Sequence, residues 1–343
     1  MKPSRLLLAV AVAASLLGVV YVSHANESAG LKMTRAAERF IASLTAEERA
    51  RATFAFDDDE RLNWHFVPLQ TDNKTPKRKG VRLEELSQAQ RDAAMDLLRA
   101  GTSTDGFIKA TTIMSLESIL HDLEKDRGAV RSPGWYFYSI FGTPSRTGRW
   151  GWRVEGHHLS LNFVVDGGKV LSATPAFFGA NPALVKDGRL KGTRILAEAE
   201  NLARNLSESL SPDQQKMARQ ENQFPEVQGG RRDPSVGAPK GVPGSRMTER
   251  QRDLLFKLLE SYTSRMSAEI AQAQMSDIRR TGLDEIYFAH AGELKDGSPH
   301  TYRVHGPTFV VEFLNVQSDS AGNPANHIHS ALRNIKGDFG LTN

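Results

Sequence analysis

Residues 152–156 read Trp-Arg-Val-Glu-Gly, and a related pentapeptide, Tyr-Arg-Val-His-Gly, returns 150 residues later at 302–306. The residues that follow are also related, since Leu-Asn-Phe at 161–163 corresponds to Val-Glu-Phe at 311–313. Each segment is rich in β-branched and aromatic residues, which are typical of strands. The constant spacing indicates an internal repeat that contains strands.

A second pair of segments extends the repeat to helices. Lys-Gly-Val at 79–81 is followed by Gln-Arg-Asp at 90–92, and both tripeptides return 161 residues later, at 240–242 and 251–253. A Ser or Thr stands three residues before each Gln, which is the pattern of a helix start with a capping side chain. The sequence therefore predicts a capped helix before each strand region.

We predict an α+β fold that is internally duplicated. Two helix-plus-antiparallel-hairpin halves, about 35–190 and about 195–340, would be related by pseudo-two-fold symmetry within a single duplicated domain, 26–343. Such an arrangement would bring the equivalent strands of the two halves to one seam, where binding sites are common.

The predicted strands are residues 134–141 and 148–165 in the first half, and 285–291 and 300–314 in the second. Gly-Thr-Pro-Ser and Asp-Gly-Ser-Pro stand between the members of each pair, and both are strong turn signals. Residues 224–244 are rich in Gly and Pro and poor in apolar residues, so we predict a loop there, either wrapped on the protein or disordered.

Composition excludes several classes of function. The chain has 44 Lys and Arg against 40 Asp and Glu, and this small net charge of +4 argues against a nucleic-acid partner. The chain has no cysteine, which removes disulfides, thiolate metal sites and cysteine nucleophiles. Any metal ion must therefore be held by imidazole, carboxylate or other oxygen ligands.

The N-terminus resembles a secretory signal. Lys2 and Arg5 precede an apolar run at 6–22, and small residues follow up to Ala25. We predict a signal peptide at 1–25 and a mature protein that is periplasmic or secreted, with no membrane attachment after cleavage. An uncleaved anchor is the alternative, because the run is at the short limit for a membrane span.

Histidines concentrate in a few short segments. His157 and His158 adjoin Glu155 in the predicted strand 148–165, where alternation would separate the two imidazoles onto opposite faces. His327 and His329 are one residue apart, so in an extended segment both imidazoles would point the same way. We predict that these segments meet at the seam, together with His305 and Glu312 on the strand equivalent to 148–165.

A metal ion needs several donors that converge at about 2.0–2.2 Å from it. The candidate metal ligands are His157, His158, His327 and His329, and the candidate catalytic residues are Glu155, Glu312 and Arg153. Either glutamate would serve as ligand or general base, Arg153 would hold an anionic group of a small-molecule substrate, and Asn326 would orient a ligand. Imidazole and carboxylate donors suit a divalent ion such as zinc, iron, copper, nickel or manganese.

These patterns predict an exported metalloprotein, in particular a metal-dependent hydrolase or oxygenase. The alternative is a periplasmic ligand-binding or interaction module in which the same histidines form a structural hydrogen-bond network without metal. A metal-free catalytic site is a third possibility. No nucleophile elbow, phosphate loop or dinucleotide fingerprint supports another enzyme class.

The order of several motifs resembles the domain of unknown function 3500 family. The motifs are Trp-Gly-Trp-Arg at 150–153, Glu-Gly-His-His-Leu-Ser at 155–160, Gly-Ala-Asn-Pro at 179–182, Gly-Pro at 306–307, Asn-His-Ile-His at 326–329 and Asp-Phe-Gly at 338–340. The resemblance covers nearly the whole chain after the signal. It implies an exported bacterial protein with one full-length domain, and it implies no activity. At Asn334 the chain departs from the family pattern, which has an acid there.

Overall fold

A computed structural model of the protein describes residues 27–72, 74–125 and 128–341. The predicted signal peptide at 1–25 lies outside these residues. Within the described ranges, no helix is long and apolar enough to cross a membrane.

Eight α-helices lie in the described part of the chain. They are α1 Ala29–Ser43, α2 Ala46–Ala52, α3 Gln88–Gly101, α4 Thr104–Glu124, α5 Ala197–Ser209, α6 Pro212–Ala218, α7 Glu249–Thr263 and α8 Ala268–Arg280. Four of them, α2, α3, α6 and α7, begin with a complete capping box, in which the cap side chain and a Glu or Gln three residues later each bond the other's backbone N–H. The predicted capped helices at 90–92 and 251–253 are therefore confirmed.

Among the described residues, thirteen strands form a single mixed sheet. They are β1 Thr53–Phe54, β2 Val81–Arg82, β3 Phe137–Phe141, β4 Arg149–Gly156, β5 Leu159–Asp166, β6 Lys169–Ser172, β7 Ala176–Phe178, β8 Arg219–Gln220, β9 Val242–Pro243, β10 Tyr287–Gly292, β11 His300–His305, β12 Phe309–Gln317 and β13 His327–Asn334. The order is β1-β3-β4-β5-β7-β13-β12-β11-β10-β8, while β2, β6 and β9 pair with β3, β5 and β10. The fold is thus a mixed α and β fold, and the proposed duplication stays a prediction.

Two of the predicted strands are wrong in extent. The predicted strand 148–165 is a hairpin of β4 and β5, whose two-residue turn is His157 and His158. His158 has φ 61°, and histidine is among the residue types enriched at positive φ. The predicted strand 300–314 is likewise divided into β11 and β12, because Pro307 has no N–H for a ladder bond and Gly306 closes the turn onto Phe309. His305 and Glu312 therefore lie on different strands.

The two faces of the sheet have different coverings. On one face, Trp152 of β4 and Phe163 of β5 stack with ring centroids 4.4 Å apart and pack against the helices, which form the main apolar core. The other face carries buried polar residues such as Arg153 and Glu155, which contact the chain between β1 and β2, a segment with one short 3-10 helix at Asp59–Leu62. The candidate site lies on this second face.

The Gly- and Pro-rich segment 224–244 is largely an ordered arm on the second face. Gly230 N–H donates to the Trp64 carbonyl at 2.5 Å, and the indole N–H of Trp64 donates to the Arg231 carbonyl at 3.2 Å. Arg333 on β13 donates to three carbonyl oxygens of the arm. Of the two predicted alternatives, the wrapped arm is the one observed.

Candidate metal centre

His158 is held at the tip of the β4–β5 hairpin. Its backbone N–H donates to the Phe66 carbonyl at 2.8 Å, and its carbonyl accepts from Gly179 N–H at 2.7 Å. Gly179 has to be small, because an added Cβ would lie 3.0 Å from the imidazole Cδ2 of His158 and 2.7 Å from the Ile328 carbonyl. Neighbouring backbone on two sides therefore fixes the imidazole in a buried position.

His327 and His329 both lie on β13, opposite Gln317 and Leu314 of β12. Alternation along the strand puts the two imidazoles on the same face, with ring centroids 4.8 Å apart. The prediction that this His-x-His segment is extended is confirmed. Because β7 joins β13 to β5, the strand brings these imidazoles to the turn that carries His158.

The three imidazoles converge through their Nε2 atoms. His158 Nε2 lies 2.8 Å from His327 Nε2 and 3.2 Å from His329 Nε2, and one ligand atom from each residue lies within 4.8 Å of the others. A tetrahedral ion bound at about 2.0–2.1 Å would separate two ligand nitrogens by about 3.3 Å. The pair His158 and His329 already has this spacing, whereas His327 would have to move away by about half an ångström.

A carboxylate orients one of the rings. Glu226, on the wrapped arm, has its Oε2 2.8 Å from His329 Nδ1. Burial opposes ionisation of Glu226, but the hydrogen bond and the charge interaction with His329 keep its pKa below the usual value. In the tautomer of His329 that donates its Nδ1–H to an ionised Glu226, the Nε2 lone pair is directed into the cluster.

The surroundings keep two rings of the cluster, those of His158 and His327, neutral. Burial lowers the pKa of His158 well below its usual value, and the neighbouring His157 acts in the same direction. Burial also lowers the pKa of His327 to about 4. Metal ligation requires neutral imidazoles, so at neutral pH these two need not lose a proton before they bind an ion.

His157 belongs to a second group, with Glu117 of α4. Its Nδ1 lies 2.6 Å from Glu117 Oε1, and its ring lies against that of His158, with centroids 3.7 Å apart and an interplanar angle of 31°. Burial raises the pKa of Glu117 to about 8 and lowers that of His157 well below its usual value, so both are neutral near pH 7. The Arg131 guanidinium lies 3.0 Å from His157 Nδ1 and would repel a cation there. His158, His327 and His329 are therefore the better metal site.

An aromatic wall adjoins the cluster. Phe66 and Phe177 stack with centroids 3.9 Å apart, and the His329 ring lies 5.1 Å from Phe66 and 5.7 Å from Phe177. Solvent approaches from the other side, where His327 is half-buried and the Glu226 side chain is 44% exposed. The cluster is thus bordered by apolar rings on one side and open to solvent on another.

Arg153 and Glu155 lie in a buried ion-pair network. Arg153 Nη2 lies 2.5 Å from Glu60 Oε1, and Arg153 Nε lies 3.4 Å from Glu155 Oε2. Glu155 also lies 3.5 Å from Arg78 Nε and accepts the backbone N–H of His65 at 2.9 Å. These contacts connect the sheet to the segment that contains Phe66, whose carbonyl binds His158.

Glu312 and Asn326 also make contacts away from the three Nε2 atoms. Glu312 accepts from Arg303 at 2.7 Å, and burial raises the pKa of Glu312 although Arg303 opposes this. The Asn326 amide donates to Asp319 at 2.7 Å and accepts from the Leu184 N–H at 2.7 Å. The structure therefore brings together the predicted ligands His158, His327 and His329, and sets His157, Glu155 and Glu312 in separate pairings.

The sequence did not predict three ionisable neighbours of the cluster, namely Glu117, Arg131 and Glu226. Glu117 stands in the middle of an ordinary helix, and Glu226 lies in the Gly- and Pro-rich arm. No spacing relates either residue to the histidines, since only tertiary contacts bring them together.

These observations define a mixed α and β protein with a buried imidazole cluster that could hold a metal ion. A family model described as "Protein of unknown function (DUF3500)" matches residues 26–341, and the chain belongs to that family. The resemblance of the motifs is therefore confirmed over nearly the whole chain. Comparison with curated proteins and with solved structures found no match.

Proposed function

We propose that the protein is an exported metal-dependent enzyme that binds one divalent transition-metal ion through His158, His327 and His329. The observation that supports this most is the convergence of three Nε2 atoms from two distant segments of the chain. Three protein ligands leave a fourth position open, as in catalytic zinc sites, whereas structural sites fill all four.

A bound ion would lower the pKa of a coordinated water to about 7 or polarise a carbonyl, and hydrolysis needs no other nucleophile. Hydrolysis is the reaction class that we propose for a zinc-loaded protein, and oxygenation for an iron or copper one. The aromatic wall of Phe66 and Phe177 offers an apolar surface beside the open position. The substrate would approach from the exposed side of His327 and Glu226.

For Glu155 and Arg153 we propose a positioning role. Glu155 holds the backbone of His65, and the next residue, Phe66, holds the backbone of His158. The Arg153 guanidinium is occupied by Glu60 and lies against Glu155, which leaves it poorly disposed towards a substrate anion.

Glu312 acts through the arm in the same way. Its partner Arg303 also donates to the Val236 carbonyl of the arm, and the arm carries Glu226. Catalytic roles for Arg153, Glu155 and Glu312 stay predictions from the sequence.

Metal content tests the proposal. Protein purified without a histidine tag, stripped with a chelator and titrated with zinc should bind one equivalent per chain. His158→Ala, His327→Ala and His329→Ala should each weaken zinc binding at least tenfold. The control is His305→Ala, since His305 is a buried strand histidine outside the cluster. A stripped wild-type protein that takes up no zinc, iron(II), copper(II) or manganese would overturn the proposal.

The second candidate is a metal-free binding module whose histidines form a structural network. It is favoured by the 2.8 Å separation of His158 Nε2 and His327 Nε2, which suits a direct N–H···N hydrogen bond. In that case His327→Ala would cost about 1–3 kcal/mol of stability in chelator, because a buried partner is left without its bond. If the histidines bind metal, His327→Ala should cost less stability than this when a chelator keeps the protein free of metal. The same variant should lose most of the stabilisation that added metal gives the wild type.

We also propose that the chain arose by duplication. The edge strands of the two halves pair in the same way. In the first half, β1 pairs parallel and β2 antiparallel with β3, and in the second half β8 pairs parallel and β9 antiparallel with β10. The capping-box glutamines of the two halves also make equivalent bonds. Gln90 donates to the Ser43 carbonyl, two residues before the cap of α2, and Gln251 donates to the Ser209 carbonyl, two residues before the cap of α6. The metal site would then lie at the seam of the repeats.

Export to the periplasm or the exterior is proposed from the N-terminal sequence. Cleavage after Ala25 would leave Asn26 as the first residue. N-terminal sequencing of the protein from its native host tests this, and a chain that retains Lys2 and Arg5 would contradict it.

A further inference from the structure

A β-bulge lies directly beside His327. Asn315 of β12 lies opposite Ile328 of β13, and the next paired residue of β12, Gln317, lies opposite His327. Val316 is thus the extra residue in β12. Bulges often lie next to functional sites, where they change the direction of a side chain.

The bulge places the residues on either side of it on opposite faces of the sheet. The Asn315 side chain is on the helix-covered face, where it donates to Glu200 of α5 at 3.0 Å. The Gln317 side chain is on the second face, where it donates to Glu226 of the arm at 3.3 Å. In a regular strand, residues two apart share a face. Because of the bulge, Asn315 can contact the backbone of His327 from the face opposite the imidazole.

The Asn315 side chain makes two hydrogen bonds of opposite kind. Its Oδ1 accepts the backbone N–H of His327 at 3.1 Å, and its Nδ2 donates to Glu200 Oε1 at 3.0 Å. Asn315 is 2% exposed and Glu200 is 3% exposed, so little water competes for these bonds. An amide serves both partners because it has one acceptor group and one donor group, whereas a carboxylate or an alkyl group does not.

Glu200 determines the orientation of this amide. Arg194 pairs with Oε2 of the carboxylate, and His300 Nε2 lies 3.2 Å from Oε1. Burial opposes ionisation of Glu200, but the interaction with His300 and the hydrogen bonds to the carboxylate lower its pKa to about 2. An ionised carboxylate only accepts hydrogen bonds, so the amide nitrogen of Asn315 faces Glu200 and the oxygen is left for His327.

We propose that Asn315, supported by Glu200, is a positioning residue that fixes the His327 imidazole in the cluster and thereby sets the affinity of the metal centre. The inference rests on the proposed function. The place of His327 matters because its Nε2 lies 2.8 Å from His158 Nε2 and has to move by about half an ångström to share an ion. Without the bond to Asn315 the backbone at the bulge can shift, and a ligand that is displaced by about half an ångström binds an ion more weakly.

Reversal of the donor and the acceptor tests the proposal. Asn315→Leu keeps the branching of the side chain and removes both hydrogen bonds, so it should weaken zinc binding about tenfold. Asn315→Asp sets two carboxylates against each other and should weaken zinc binding as well. The double variant Asn315→Asp with Glu200→Gln restores one donor and one acceptor, so its zinc affinity should be within about threefold of the wild type.

Crystal structures of the same variants without metal separate positioning from a loss of stability. The distance between His158 Nε2 and His327 Nε2 should change by about half an ångström or more in Asn315→Leu and return in the double variant. Gln251→Ala, at the start of α7, is the matched control. It also removes buried hydrogen bonds and should be destabilised, but it should leave this distance and the zinc affinity unchanged.

Three results would overturn the proposal. They are unchanged imidazole positions in Asn315→Leu, an equal loss of zinc affinity in Gln251→Ala, and a double variant that binds zinc as weakly as Asn315→Asp. Should Asn315→Leu not fold, Asn315→Asp and the double variant give the same comparison. A displaced His327 in Asn315→Leu together with a wild type that binds no metal would support the positioning role and contradict the proposed function alone.

Discussion

Glu226→Gln should weaken metal binding although Glu226 is not a ligand. The carboxylate lies 2.8 Å from His329 Nδ1 and makes that nitrogen the protonated one. Glutamine can still accept this hydrogen bond through its amide oxygen, but it lacks the negative charge that makes the imidazole a stronger donor to the metal. Glu226→Ala removes both effects, so the loss of affinity should be larger.

The expected magnitude follows from the exposure of the carboxylate. Removing such an outer partner of a metal-bound imidazole costs about 10- to 100-fold in affinity. The Glu226 side chain is 44% exposed, so water competes for the hydrogen bond to His329. We therefore expect Glu226→Gln to lose about tenfold in metal affinity, the lower end of that range. A tenfold loss corresponds to about 1.4 kcal/mol.

The assay is zinc competition against a chromophoric chelator at pH 7, with cobalt(II) absorption as a check on the geometry. Wild type should bind most tightly, Glu226→Gln about tenfold more weakly and Glu226→Ala more weakly again. Glu221→Gln is the matched control, because Glu221 is an exposed carboxylate five residues earlier in the chain. Equal affinities of wild type and Glu226→Ala, or an equal loss in the control, would refute the role given to Glu226.

Two further predictions concern stability. The pKa of Glu117 is raised by burial from 4.5 to about 8, so its contribution is fully present below pH 4.5 and is lost as the pH rises to 8. Between pH 5 and pH 8, the wild type should lose free energy of unfolding on the order of a few kcal/mol, and Glu117→Gln should lose much less. Urea denaturation measures this, and parallel pH profiles of the two proteins would contradict it. Gln90→Ala and Gln251→Ala should each cost about 1–3 kcal/mol, because each side chain bonds one backbone N–H at its own helix start and one carbonyl at the end of another helix. A clearly unequal loss in the two variants would count against equivalence of the two halves.

Local signals in the sequence predicted much of the fold. The capped helices are visible because a Ser or Thr cap followed by Gln satisfies free backbone N–H groups with nearby side chains. The common face of His327 and His329 follows from the period of two along any strand. The sequence predicts the β3–β4 and β10–β11 hairpins, where Gly and Pro mark a turn, but not the β11–β12 hairpin, although Gly306 and Pro307 stand at its turn.

The turn at His157 and His158 could not be predicted in the same way. Its two residues include neither glycine nor asparagine, and apolar strand-forming stretches at 150–154 and 159–165 stand close on both sides, so the sequence pattern indicates one long strand. This error also changes the site, since the turn aims His158 at β13 and His157 at Glu117. The contributions of Glu117 and Glu226 depend on tertiary packing, for which the sequence contains no local signal.

Anomalous diffraction from crystals of the zinc-loaded protein, recorded on both sides of the zinc absorption edge, tests the metal centre most directly. We expect one strong peak about 2.0–2.1 Å from the Nε2 atoms of His158, His327 and His329. Glu226 should remain hydrogen-bonded to His329 in the same crystals. A peak on other residues, or three imidazoles joined by hydrogen bonds with no anomalous density between them, would contradict it.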